Sequence, residues 1–119
     1  MDGVSAQQLE TCDRFGVTPV PVPSDEKVGI ALNVRDGARP VNAVRHLPVG
    51  DTTGWYIWGG GIVDPAVTER DDFFVPLHVS HVAEWSPEIV PYLALPPGHG
   101  VIVEPGYEDV WFDPALLVE

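Results

Sequence analysis

His78 and His81 stand three residues apart, a spacing that lets two imidazoles meet on one side of a helical turn. A zinc site needs a third and usually a fourth ligand, and no cysteine pair or Glu-flanked histidine motif supplies one. His46 and His99 join them only if the fold gathers distant segments. The simpler reading is solvent-facing histidines at a helix start, and no metal is expected. The carboxylate pairs Asp71-Asp72 and Glu108-Asp109 fail as acid–base dyads, because neighbours on a strand point to opposite faces. Cys12 falls in a surface helix with no obvious base, and no serine has a nucleophile-elbow context. Gly59-Gly60-Gly61 follows a strand but lacks the Lys or Ser/Thr of a phosphate loop, so it reads as a turn. These groups do not compose an enzyme, and no cofactor is expected. A small metal-dependent enzyme using His46, His78, His81 and an acid stands only as a rival reading.

The run Gly106-Tyr107-Glu108-Asp109-Val110-Trp111-Phe112-Asp113 offers a different chemistry, that of recognition, because it sets aromatic rings among carboxylates. From His46 to Glu119 there are twelve Asp and Glu residues against one basic residue, Arg70. Arg14, Lys27, Arg35, Arg39 and Arg45 all lie in the first 45 residues, and the net charge is −12. A surface of this kind is repelled by nucleic acid and anionic membrane and attracted by a basic protein. Strong acidity also arises from solubility or halotolerance alone, so both readings stand.

Strand alternation divides the run. Val110 and Phe112 share one face, and Asp109, Trp111 and Asp113 share the other. With Pro105-Gly106 as a two-residue turn, Val101 and Val103 join the first face and Ile102 the second. The first set is assigned to the core. The second is a tryptophan flanked by acids, a grouping found at interface hot spots. Trp111 can equally pack beneath helices, its indole N–H bonded to a carbonyl. Trp55 and Trp58 fall on opposite faces of their strand, so at least one is core.

Other elements must position these residues. Ser5 caps a helix over residues 6–15 that Gly16 ends, with Leu9, Cys12 and Phe15 as its apolar positions. The alternation of proline with valine from Thr18 to Pro23 makes an extended connector. Val28, Ile30, Leu32 and Val34 mark one face of a strand over 28–34, with Gly29 and Ala31 opposite, suited to close packing. Asp36-Gly37 is a turn into a returning strand from Val41 to Leu47. Trp55 to Trp58 is a short strand stopped by Gly59, Gly60 and Gly61, and residues 64–72 form a polar connection. Ser80 caps a turn through Trp85. Ser86 and Pro87 start a helix whose apolar side is Ile89, Val90, Tyr92 and Leu93, and Pro96-Pro97-Gly98 ends it. The order shows no βαβ rhythm. It predicts an α+β fold, a small mainly antiparallel sheet with two or three short helices packed on one face.

At 119 residues the chain is one domain, long enough to bury a core without staples. A lone cysteine and the lack of a signal-like N-terminus or a bilayer-length apolar run point to a soluble cytoplasmic protein.

Three segments carry a family resemblance: LPVGDTTGWYIWGG (47–60), DDFFVPLHVSHVAEWSPEIVPYLALPPGHGVIV (71–103) and GYEDVWFD (106–113). Together they resemble a family of small bacterial immunity proteins from polymorphic toxin systems, the thirty-third in that series. The resemblance covers about residues 28–117, an immunity-like core, and leaves residues 1–27, the first helix and connector, outside. It brings no catalytic residues. What it implies is a non-enzymatic binder that neutralises a co-encoded toxin domain, here one with a basic surface. The residues expected at the contact are Tyr107, Glu108, Asp109, Trp111 and Asp113, with Trp58 and Trp85 as secondary anchors. A housekeeping or regulatory interaction module is the alternative, and the neighbouring genes discriminate the two.

Overall fold

A computed structural model of the chain describes residues 4–60 and 73–117. Its strands are β1 (Lys27–Ala31), β2 (Val41–Arg45), β3 (Thr52–Gly59), β4 (Phe74–His78), β5 (His99–Glu104) and β6 (Tyr107–Phe112). They form one sheet in the order β4-β1-β3-β2-β5-β6. The helices are α1 (Ala6–Arg14), α2 (Leu32–Arg35) and α3 (Val79–Trp85), with 3-10 helices over Pro87–Tyr92 and Pro114–Leu117. The class is α+β as expected, but the sheet is mixed. β1 and β3 run parallel, while the other four pairings are antiparallel.

That parallel pair reflects where β2 goes. The turn at Asp36-Gly37 suggests a hairpin returning onto β1, yet β2 pairs with β3 and β5 instead. The chain leaves the sheet after Ala31, and residues 32–35 coil into α2 rather than extending the strand. Asn33 holds that departure. Its amide donates to Gly59 O at 2.9 Å and its Oδ1 accepts the Gly59 N–H at 3.0 Å, standing in for a strand neighbour. Val34 then drops into the core, fully buried.

α1 begins with a reciprocal capping box between Ser5 and Gln8 and is followed by Gly16 at φ 68°. Of the apolar set expected from sequence, only Cys12 lies on its inner face. Gln8, Thr11 and Cys12 are buried, while Leu9 and Phe15 stay at the rim, 37% and 36% exposed. Polar side chains survive there because their hydrogen bonds are made: Gln8 Nε2 donates to Val90 O at 3.0 Å and Thr11 Oγ1 to Gln7 O at 3.0 Å.

β4 is an element the sequence reading lacks, since Pro76 breaks its pattern. Proline is tolerated because β4 is an edge strand, with no further neighbour to bond among the described residues. α3 starts at Val79 with His78 as its N-cap residue, not Ser80. Its first amides need no side-chain cap, because Val79 N–H donates to Glu26 O at 2.8 Å and Ser80 N–H to Ser24 O at 3.3 Å. The following helix does begin with Pro87, but it is 3-10 and contains Pro91. The polar connection expected over residues 64–72 lies outside the described residues.

The core lies on one face of the sheet. Val28, Ile30, Val41, Ala43, Trp55, Ile57, Val101 and Val103 pack there against Cys12, Val34, Val82, Ile89, Tyr92, Leu93 and Leu95. Alternation therefore turns the intervening strand residues to the opposite face. Among the described residues that face is left uncovered except at His46, which the last 3-10 helix meets through Leu116 O.

Candidate protein-binding face

β6 hangs on β5 through an unbroken antiparallel register in which Glu104 faces Tyr107 across the Pro105-Gly106 turn. Gly106 supplies the positive φ of 79° that this turn requires. Val110 opposite Val101 points to the core, while Trp111 opposite Gly100 and Asp109 opposite Ile102 point to the uncovered face. The division read from alternation holds with one correction. Phe112 is 55% exposed rather than core, because it ends the outermost strand, where its ring rests against Gly98 and His99.

Glycines make room for the rings of this face. A β-carbon at Gly100 would collide with the indole of Trp111, so the half-buried indole covers that gap and not the space beneath the helices. Gly29 does the same for Tyr56, whose Cδ1 would lie 2.8 Å from an added β-carbon. The small face of β1 is thus filled by a side chain of its own sheet. Tyr56 continues an edge-to-face array, 5.4 Å from His46 and 5.2 Å from Phe74, and Trp58 lies 6.3 Å from Phe74. At the β6 edge of the same face Tyr107 is 50% exposed, and Asp109 and Trp111 follow it at alternate positions along the strand.

Of the residues expected at a contact, Trp58, Tyr107, Asp109 and Trp111 share this face. Glu108 does not. It turns to the helix side, where Arg14 grips it with two hydrogen bonds of 3.0 Å and the Tyr92 hydroxyl donates to Oε2. The Arg14 bond, then the Tyr92 bond, hold the Glu108 carboxyl below the usual carboxylate range. Burial, reinforced by Glu108, pushes the Tyr92 hydroxyl up to about 12. Asp113 lies just past β6, where its Oδ1 accepts the Ala115 N–H at 2.9 Å and starts the last 3-10 helix. Trp85 packs against the core with the Arg35 guanidinium 5.7 Å from its ring centroid.

The same economy applies to every basic side chain described. Arg14 pairs with Glu108, Lys27 with Asp51 at 2.9 Å, Arg35 with Asp36 at 3.5 Å and Arg39 with Glu88 at 2.8 Å. Arg45 is the residue that sequence reasoning passed over. Only 1% exposed, it donates to the carbonyls of Thr53, Val20, Leu93 and Leu95 at 2.9–3.3 Å, and burial pulls its pKa down to about 10. It thereby ties the Pro-Val connector and the exit of the first 3-10 helix to the sheet. The available signal was its alternation with Val41 and Ala43 on an otherwise apolar strand face. Asp109 has no cationic partner among the described residues.

The histidines are dispersed. His78 and His81 have ring centroids 6.4 Å apart, and His81 Nδ1 lies 2.6 Å from Glu84 Oε2. His46 and His99 bond to the carbonyls of Leu116 and Pro96. Among the described residues no three His, Cys, Asp or Glu side chains are grouped to hold a metal ion. No helix described is long and apolar enough to cross a membrane.

Fold and site together define a small α+β protein with one helix-covered sheet face and one face of aromatic and acidic residues that the described residues leave largely open. The Imm33-like domain model matches residues 7–113, and the chain belongs to that family. The matched span takes in most of α1 and the connector, which the motifs alone left outside. No curated protein and no solved structure matches the chain.

Proposed function

We propose that this chain is a non-enzymatic immunity protein of the cytoplasm that neutralises a co-encoded toxin domain by covering a basic surface on it. The contact is made by the uncovered sheet face through Trp58, Tyr107, Asp109 and Trp111, with Asp113 at its margin. Glu108 and Trp85 are set aside, because their side chains are occupied with Arg14, Tyr92 and Arg35. One observation carries this reading: each described cation is engaged within the chain, while the uncovered face keeps its aromatics and Asp109. With a net charge of −12, the partner is a protein and not nucleic acid or anionic membrane. Charge then steers the encounter, and burial of the rings slows dissociation.

The experiment is capture of the purified product of the neighbouring gene, followed by a salt titration of the complex. Immunity predicts a stoichiometric complex that weakens with salt and abolishes the toxin's activity. Absence of any complex, or of inhibition within one, sinks the reading.

A further inference from the structure

We propose that β6 takes up an added β-strand from the partner, one that presents Lys or Arg beside Asp109. This inference rests on the function proposed above and specifies how the contact is built. The two edges of the sheet differ. The β4 edge carries Pro76, which has no N–H to offer a further strand. The β6 edge has no proline, no lysine and no bulge, and its register to β5 is unbroken over six residue pairs.

Ladder phase shows which backbone groups are left open. Asp113 N–H donates to Gly98 O at 2.8 Å, one half of a bonded pair in the β5–β6 register, while the Gly98 N–H goes to Arg45 O. In an antiparallel ladder such pairs alternate, which makes Trp111, Asp109 and Tyr107 the inward-bonded residues of β6. Glu108, Val110 and Phe112 then turn both N–H and C=O outward along an edge that no described strand covers. Three residues in extended phase with donors and acceptors exposed are a template for strand addition.

Charge selects the occupant. A second copy of the chain would bring Glu108 and Asp109 against the same acids in a molecule of net charge −12, and like charges across strands are unfavourable. A basic strand meets the opposite situation: a cation lies next to Asp109, while apolar residues in the alternate positions continue past the exposed ring of Phe112.

The test uses the purified pair, this chain and the neighbouring gene's product, followed by amide hydrogen exchange. In the complex, the Glu108, Val110 and Phe112 amides should slow on the order of a hundredfold, with smaller changes at Asp109 and Trp111, which are already bonded. Val110→Pro removes one outward N–H without breaking an internal bond, and should weaken binding about tenfold. Should that variant unfold, the exchange measurement on the native chain decides alone. A tight complex in which those three amides exchange as in the free chain overturns strand addition and leaves the proposed function standing. Failure to form any complex overturns both. Protection of the same amides in the free chain, with a dimer in sedimentation, makes the occupant a second copy and overturns the proposal.

Discussion

Trp111 covers Gly100, its partner across the β5–β6 ladder, and the indole occupies the space that a β-carbon would need. A glycine inside a strand is here the seat of an aromatic ring on the uncovered face. Gly100→Ala should therefore displace the indole and cost about 1–3 kcal/mol, as overpacking does. Urea denaturation measures the loss, and a red-shifted tryptophan emission would report the released ring. Unchanged stability and emission would mean that the indole is not seated there.

Binding should divide by chemistry between two neighbours. Trp111→Ala is expected to cost at least about 2 kcal/mol, mainly through faster dissociation. Asp109→Asn should instead slow association and flatten its salt dependence, because it removes one steering charge. Surface plasmon resonance at two salt concentrations separates the effects. If neither rate moves in either variant, the contact lies elsewhere.

The Arg14–Glu108–Tyr92 cluster should leave its mark on stability against pH. The Glu108 carboxyl is depressed by Arg14 and then Tyr92, so the folded chain protonates it at lower pH than the unfolded chain. Its contribution is complete above the unfolded value of about 4.3 and is lost as pH falls through the folded value. Tyr92 is raised, from 10.0 to about 12, so its contribution is complete below the unfolded value and fades as pH rises through that interval. Glu108→Gln should shrink the acid-side loss and Tyr92→Phe the alkaline-side loss. Urea midpoints across the pH range would show both limbs, and unchanged limbs would count against the cluster.

Arg45 predicts a penalty out of proportion to a conservative change. Arg45→Lys keeps the charge but cannot reach the carbonyls of Thr53, Val20, Leu93 and Leu95 together. Leaving several buried acceptors unmet at about 1–3 kcal/mol each should lower stability by at least about 3 kcal/mol. Guanidinium unfolding checks this, and a loss below about 1 kcal/mol would mean that water replaces the guanidinium.

Local chemistry was legible wherever neighbours in sequence are also neighbours in space. Ser5 caps α1 within one turn, and Pro105-Gly106 closes a hairpin whose register places Val101 opposite Val110 and Ile102 opposite Asp109. Such features depend on backbone geometry over a few residues. Reading failed where a distant partner decided the outcome. The strand expected to run to Val34 ends at Ala31 because Asn33 bonds Gly59, twenty-six residues away. Ser80 is not the cap of α3, because the carbonyls of Ser24 and Glu26 take its place.

Composition and a period of two were enough for the α+β class, the acidic balance, the split of Trp55 from Trp58 and the alternation along β6. Its motifs also pointed to the family. Long-range packing, by contrast, makes β1 and β3 parallel, turns Glu108 inward to Arg14 and Tyr92, and seats the rings of Trp111 and Tyr56 on Gly100 and Gly29. Strand order and side-chain partnership are settled by burial and hydrogen bonding between remote segments, which no local pattern encodes.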